Sequence, residues 1–197
     1  MKLRDTIIML SRLRPMLRKF LAPLAKRVNV NPNIITLISL IIAALSGVSF
    51  WHGNLLLGGS LILFSGFLDV MDGSIARYHN RTNEFGAFFD STMDRFSDGI
   101  IILGLIAGGW INWYVGILAV HSAITISYVK ASAESKGISC NVGIAERATR
   151  LIIIIIASLL GIFLGKLYLE LTMIVLVILS YITVVQRIFH VWKQANK

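Results

Sequence analysis

Residues 68–98 read LDVMDGSIARYHNRTNEFGAFFDSTMDRFSD and hold six of the chain's ten acidic residues: Asp69, Asp72, Glu84, Asp90, Asp94 and Asp98. Apolar runs long enough to cross a bilayer flank the stretch on both sides. A carboxylate beside lipid is expensive, and where one occurs it faces a bundle interior and serves function. The spacing sorts the group. Asp69 and Asp72 are three residues apart and Asp90 and Asp94 are four apart, so each pair shares one helix face. A short polar link over residues 78–83 predicts two antiparallel helices whose four carboxylates face each other. Oxygens focused in this way repel strongly unless a hard divalent cation, or two, sits between them.

The surroundings of that stretch set the class of protein. Of 197 residues, 56% are hydrophobic and only 15% charged, and the mean hydropathy is +0.76. An ordinary soluble domain of this length is excluded; the expectation is an all-α integral membrane protein in one domain, 1–197. The net charge of +9 is uneven, because eight of the 19 Lys and Arg are Lys2, Arg4, Arg12, Arg14, Arg18, Lys19, Lys26 and Arg27. Joined to a hydrophobic bundle, such a patch suits anionic lipid headgroups, and no nucleic-acid partner is expected. A lone Cys140 allows neither an internal disulfide nor a thiolate cluster.

Residues 5–28 alternate basic and apolar positions at helical spacing, broken by Pro15 and Pro23. They predict an interfacial amphipathic helix, or two short ones, lying in the membrane plane. Asn31-Pro32-Asn33 is a helix start. A bundle of six transmembrane helices is then expected over 34–191, with spans at 34–51, 55–78, 84–109, 113–134, 144–164 and 167–191 and Lys166 in the last loop. Six spans put both ends on one side. Arg77, Arg81, Lys130, Lys136, Arg147, Arg150, Lys193 and Lys197 crowd that side, and Lys166 stands alone on the other. The positive-inside rule therefore predicts a multi-pass protein of the cytoplasmic membrane, with termini and carboxylates facing the cytoplasm.

Asp69-x-x-Asp72-Gly73-x-x-Ala76-Arg77, eight residues, then Gly86-x-x-x-Asp90-x-x-x-Asp94 resembles the complete signature of the CDP-alcohol phosphotransferases. The resemblance extends to the six spans and the basic amphipathic lead-in. It implies that an acceptor hydroxyl attacks the β-phosphorus of a CDP-linked lipid and that CMP leaves. It implies a homodimer, and two divalent cations, Mg2+ or Mn2+, held by Asp69, Asp72 and Asp90 with Asp94 beside them. Two such ions clamp attacking and leaving oxygens. Asp94 is the candidate catalytic base on the acceptor hydroxyl.

The CDP-lipid is expected on Gly73, Ala76 and Gly86, where missing side chains let a ligand approach backbone, although small residues also serve plain helix packing. Arg77 is suited to phosphate or base. Pro32, Asn33, Thr82 and Asn83 resemble positions lining a cytidine pocket. Farther on, Lys130 and the run Gly143-Ile144-Ala145-Glu146-Arg147-Ala148-Thr149-Arg150 resemble the inositol-phosphate synthase branch. In that branch a lysine late in the fourth helix and arginines opening the fifth surround the acceptor's phosphate. Arg187 stands at about the place of a further one. Lys130, Arg147, Arg150 and Arg187 are thus the expected acceptor-phosphate residues, by charge-assisted hydrogen bonding; snorkelling to lipid headgroups is the alternative use of such cations. The expected acceptor is inositol phosphate, with glycerol phosphate or serine as alternatives and a divalent-cation transporter as a non-enzymatic one. Asp98, one turn past Asp94, either supports the ligands from behind or pairs with Arg95.

Overall fold

The computed structural model describes residue 23 and residues 26–196. All but residues 23 and 26–28 of the expected interfacial helix lie outside them. Six helices make up the described chain: α1 Pro32–Trp51, α2 Leu55–Tyr78, α3 Glu84–Ala107, α4 Trp113–Glu134, α5 Arg147–Leu164 and α6 Lys166–Ala195. Four of them start on an asparagine whose side-chain oxygen accepts a backbone N–H of the first turn: Asn31, Asn54, Asn83 and Asn112. That bond satisfies one of the donors every helix N-terminus leaves over, which matters most where water is scarce.

Two expected boundaries are corrected. The fifth helix begins at Arg147, not at 144. Thr183 Oγ1 on α6 accepts the backbone N–H of both Ile144 (3.1 Å) and Ala145 (2.9 Å), and Gly143 has φ +126°. Those long-range bonds hold residues 143–145 outside the helix. Lys166 is likewise not in a loop: it is the first residue of α6, and Gly165, at φ +93°, makes the whole turn.

Neighbouring helices pack in the cyclic order α1, α2, α5, α6, α4, α3 and back to α1. α2 and α3, though joined by a short link, pack on α1 rather than on each other. Close approach of α1 and α3 depends on glycine. A Cβ at Gly104 would run into the backbone of Gly47, and one at Gly47 would come within 2.7 Å of the Ile100 carbonyl. Hydroxyls stitch α1 to α2: Ser39 and Ser65 each donate to the other's carbonyl at 3.0 Å, and Ser46 donates to Gly58 at 2.8 Å.

Inside the ring one end is plugged. Phe50, Leu55, Leu105, Leu169 and Met173 are buried there in one apolar cluster. The outside carries Leu63, Phe64, Phe163, Leu167 and Val185, all largely exposed, as lipid-facing surfaces are. Five helices are long and apolar enough to cross a membrane. α3 has similar length, 24 residues, but carries Glu84, Asp90, Asp94, Arg95 and Asp98. The chain is an all-helical, multi-pass membrane protein.

Candidate active site

The other end of the ring is polar. α2 brings Asp69 and Asp72 to it, α3 brings Asp90, Asp94 and Asp98, and the first turn of α5 brings Arg147 and Arg150. One carboxylate oxygen each from Asp69, Asp90 and Asp94 lies within 4.8 Å of the others.

Asp72 is drawn a little aside. It is buried, and its Oδ2 accepts a 2.6 Å bond from Thr36 Oγ1 on α1. Thr36 had no sequence signal, since its partner is 36 residues away.

A guanidinium occupies the middle of the cluster. Arg147 Nη1 is 2.7 Å from Asp69 Oδ2 and 2.8 Å from Asp94 Oδ1, and its Nε is 3.5 Å from Asp98 Oδ1. Arg150, almost fully buried, donates to Asp98 Oδ2 at 2.5 Å and to the Ala145 carbonyl at 3.2 Å. Asp98 therefore pairs with α5; Arg95 instead lies 3.6 Å from Asp94. Arg187 is also buried and donates to the carbonyls of Val142 (2.9 Å) and Ile126 (2.6 Å). Lys130, one turn beyond Ile126 on α4, is half-exposed with Glu134 at 3.7 Å. The four expected acceptor-side cations thus fall into two linked groups. Arg147 and Arg150 sit against the carboxylates, and Arg187 sits beside Lys130's turn of α4.

Of the expected nucleotide residues, Asn33, Asn83 and Gly86 lie together, and Gly73 lies beside Arg77. A Cβ at Gly86 would lie 3.2 Å from Asn83 Oδ1 and 3.5 Å from Asn33 Oδ1, and one at Gly73 would lie 3.3 Å from Arg77 Nη1. Asn83 also caps α3 through a 2.6 Å bond from the Gly86 N–H. Pro32 opens α1, Thr82 is exposed in the link, and Ala76 is half-buried on α2. Arg81 is committed elsewhere, donating to Asn29 Oδ1 at 2.8 Å.

The donor set fits a hard divalent cation. It is carboxylate throughout, and Asp90 Oδ1 is buried with no hydrogen-bond donor among the described residues. A buried anionic oxygen without a donor calls for a positive partner. Carboxylates that suit a divalent cation and guanidiniums that suit an anion together can serve phosphate chemistry at this end of the ring.

The chain belongs to the CDP-alcohol phosphatidyltransferase family, whose sequence profile matches residues 29–192. It is 45% identical over 186 residues to the archaetidylinositol phosphate synthase of Methanothermobacter thermautotrophicus, covering 94% of this chain and 95% of that one. It is 36% identical over 190 residues to the synthase of the same name from Pyrococcus horikoshii, covering 94% and 98%. Among solved structures, the Mycobacterium tuberculosis phosphatidylinositol phosphate synthase with CDP-DAG bound matches with a TM-score of 0.79 at 29% identity, covering 88% of this chain and 94% of that one. The same enzyme in complex with manganese and citrate matches at 0.77 and 29% identity, covering 87% and 88%.

Proposed function

We propose that the protein transfers a lipid phosphate group from a CDP-linked glycerolipid, CDP-diacylglycerol or CDP-archaeol, to inositol phosphate, releasing CMP. The observation that carries this reading is the convergence of Asp69, Asp90 and Asp94 with Arg147 and Arg150 at one end of the ring. Carboxylates for cations and guanidiniums for a second phosphate meet there side by side. The curated synthases named above support inositol phosphate as the acceptor.

Asp69, Asp72, Asp90 and Asp94 hold two divalent cations, Mg2+ or Mn2+, which supply charge neutralisation to the pyrophosphate. Thr36 fixes the orientation of Asp72 through its 2.6 Å bond. Pro32, Asn33, Gly73, Ala76, Arg77, Thr82, Asn83 and Gly86 receive the CDP-lipid, with backbone close enough for the nucleotide because the glycines lack side chains. Lys130, Arg147, Arg150 and Arg187 hold the acceptor phosphate. Asp94 accepts the proton of the attacking hydroxyl, and the apolar plug keeps water from entering at the opposite end.

In this reading the protein is a single domain, 1–197, with α3 as a sixth span after the five apolar ones, led by an interfacial helix over 5–28. Positive-inside charge supports a cytoplasmic-membrane location with both termini and the site toward the cytoplasm. The lipid tails stay in the bilayer, and the working form is a homodimer.

The test uses purified protein, CDP-lipid and Mn2+ with inositol phosphate, glycerol phosphate or serine offered separately. CMP release is expected with inositol phosphate. Release with glycerol phosphate alone would sink the inositol assignment while leaving the family chemistry intact.

A further inference from the structure

Arg147 belongs to two sites at once. Its Nη1 bonds Asp69 Oδ2 at 2.7 Å and Asp94 Oδ1 at 2.8 Å, and both carboxylates belong to the trio that can hold a metal ion. The same guanidinium opens α5, on the acceptor side. A carboxylate oxygen that gives its lone pairs to a divalent cation is a poor acceptor for a guanidinium, and two positive centres a few ångströms apart repel. The two pairings are therefore alternatives. Arg147 also has somewhere to go. Asp98 Oδ1 lies 3.5 Å from its Nε and is outside the cation-binding trio. Arg150 is already fixed on Asp98 Oδ2 at 2.5 Å, so a guanidinium that leaves Asp69 and Asp94 stays beside Arg150.

We propose that Arg147 and the divalent cation compete for Asp69 and Asp94, so that binding the cation frees Arg147 Nη1 for the acceptor's phosphate. Asp98 is the anchor that keeps the released side chain in place. The cation then precedes the acceptor, and by linkage each raises the other's affinity. The competition stands on geometry; its consequence for the acceptor rests on the function proposed above.

Mn2+ titrations of the solubilised full chain, followed by the EPR signal of free Mn2+, test the competition without CDP-lipid or acceptor. Arg147→Gln is expected to bind Mn2+ roughly 10- to 100-fold more tightly, the effect of removing competing hydrogen bonds to charged groups. A merely structural role for Arg147 would weaken binding instead. Arg95→Gln is the control, because Arg95 lies 3.6 Å from Asp94 but its side chain is 38% exposed. It is expected to shift affinity by less than about threefold, as exposed pairs do. Unchanged or weaker Mn2+ binding by Arg147→Gln overturns the proposal. So does an equal gain from Arg95→Gln, since general charge and not shared oxygens would then set the affinity. Should Arg147→Gln not fold, Arg147→Lys keeps the charge and loses the planar fork; tighter Mn2+ binding supports the competition and unchanged or weaker binding overturns it. In turnover, raising Mn2+ should lower the wild-type KM for inositol phosphate but not that of Arg147→Gln. CMP release driven only by glycerol phosphate would overturn the acceptor assignment and leave the titration standing, so the two failures are distinguishable.

Discussion

The buried Asp98–Arg150 pair permits a quantitative prediction. Arg150 is 5% exposed and Asp98 9%, and their 2.5 Å contact links α3 to α5 across the ring. Removing one member of a buried pair leaves an uncompensated charge, which costs about 3–5 kcal/mol. Arg150→Gln falls at the lower end, about 3 kcal/mol, because Arg147 Nε remains 3.5 Å from Asp98. Asp98→Asn falls higher, since the amide oxygen can still accept from Arg150 but both Arg150 and Arg147 lose the carboxylate's charge. Removing both charges in Asp98→Asn/Arg150→Gln takes away the penalty along with the attraction. The double variant should lie within about 1 kcal/mol of wild type, giving a coupling energy of about 5 kcal/mol or more. Unfolding in mixed micelles on titration with SDS, read by tryptophan fluorescence, measures all four proteins. The double variant should regain the fold yet remain poor in CMP release, because Arg150 is also one of the residues proposed to hold the acceptor phosphate. Single variants within about 0.5 kcal/mol of wild type, or a double variant as unstable as the sum of the singles, would refute the buried-pair reasoning.

Asp94→Asn should lower CMP release by roughly 100-fold or more, the usual contribution of a positioned base, while CDP-lipid binding stays within a few-fold of wild type; full turnover would remove Asp94 from proton transfer. Thr36→Val deletes the donor to Asp72 Oδ2 with little change in shape. It should weaken Mn2+ binding roughly tenfold, the effect of one hydrogen bond to a charged group that orients a ligand; an unchanged Mn2+ titration would show that Asp72 needs no help from α1.

The amino-acid sequence by itself determined most of the helices and which carboxylates share a helix face, because both depend on local spacing. Asn54, Asn83 and Asn112 cap the helices that follow them, and α2 and α4 span the residues expected. Carboxylates three or four residues apart cannot avoid sharing a face. The family was equally legible, since its signature is contained in residues 69–94. Only the tertiary structure decided how separate segments meet. The cyclic packing order sets α2 and α3 on α1 rather than on each other, where the short link alone predicts an antiparallel pair. Thr183 on α6 pulls residues 144 and 145 out of α5, a bond spanning 39 positions for Ile144 that no local pattern encodes. Arg147 reaches Asp69 across 78 positions, and Arg150 reaches Asp98 across 52. Basic spacing marked those arginines as charge near a boundary; the three-dimensional ring assigned them their carboxylates. Charge is readable from residue type, but its partner is set by packing, since a buried ion takes whichever opposite charge the fold brings within reach.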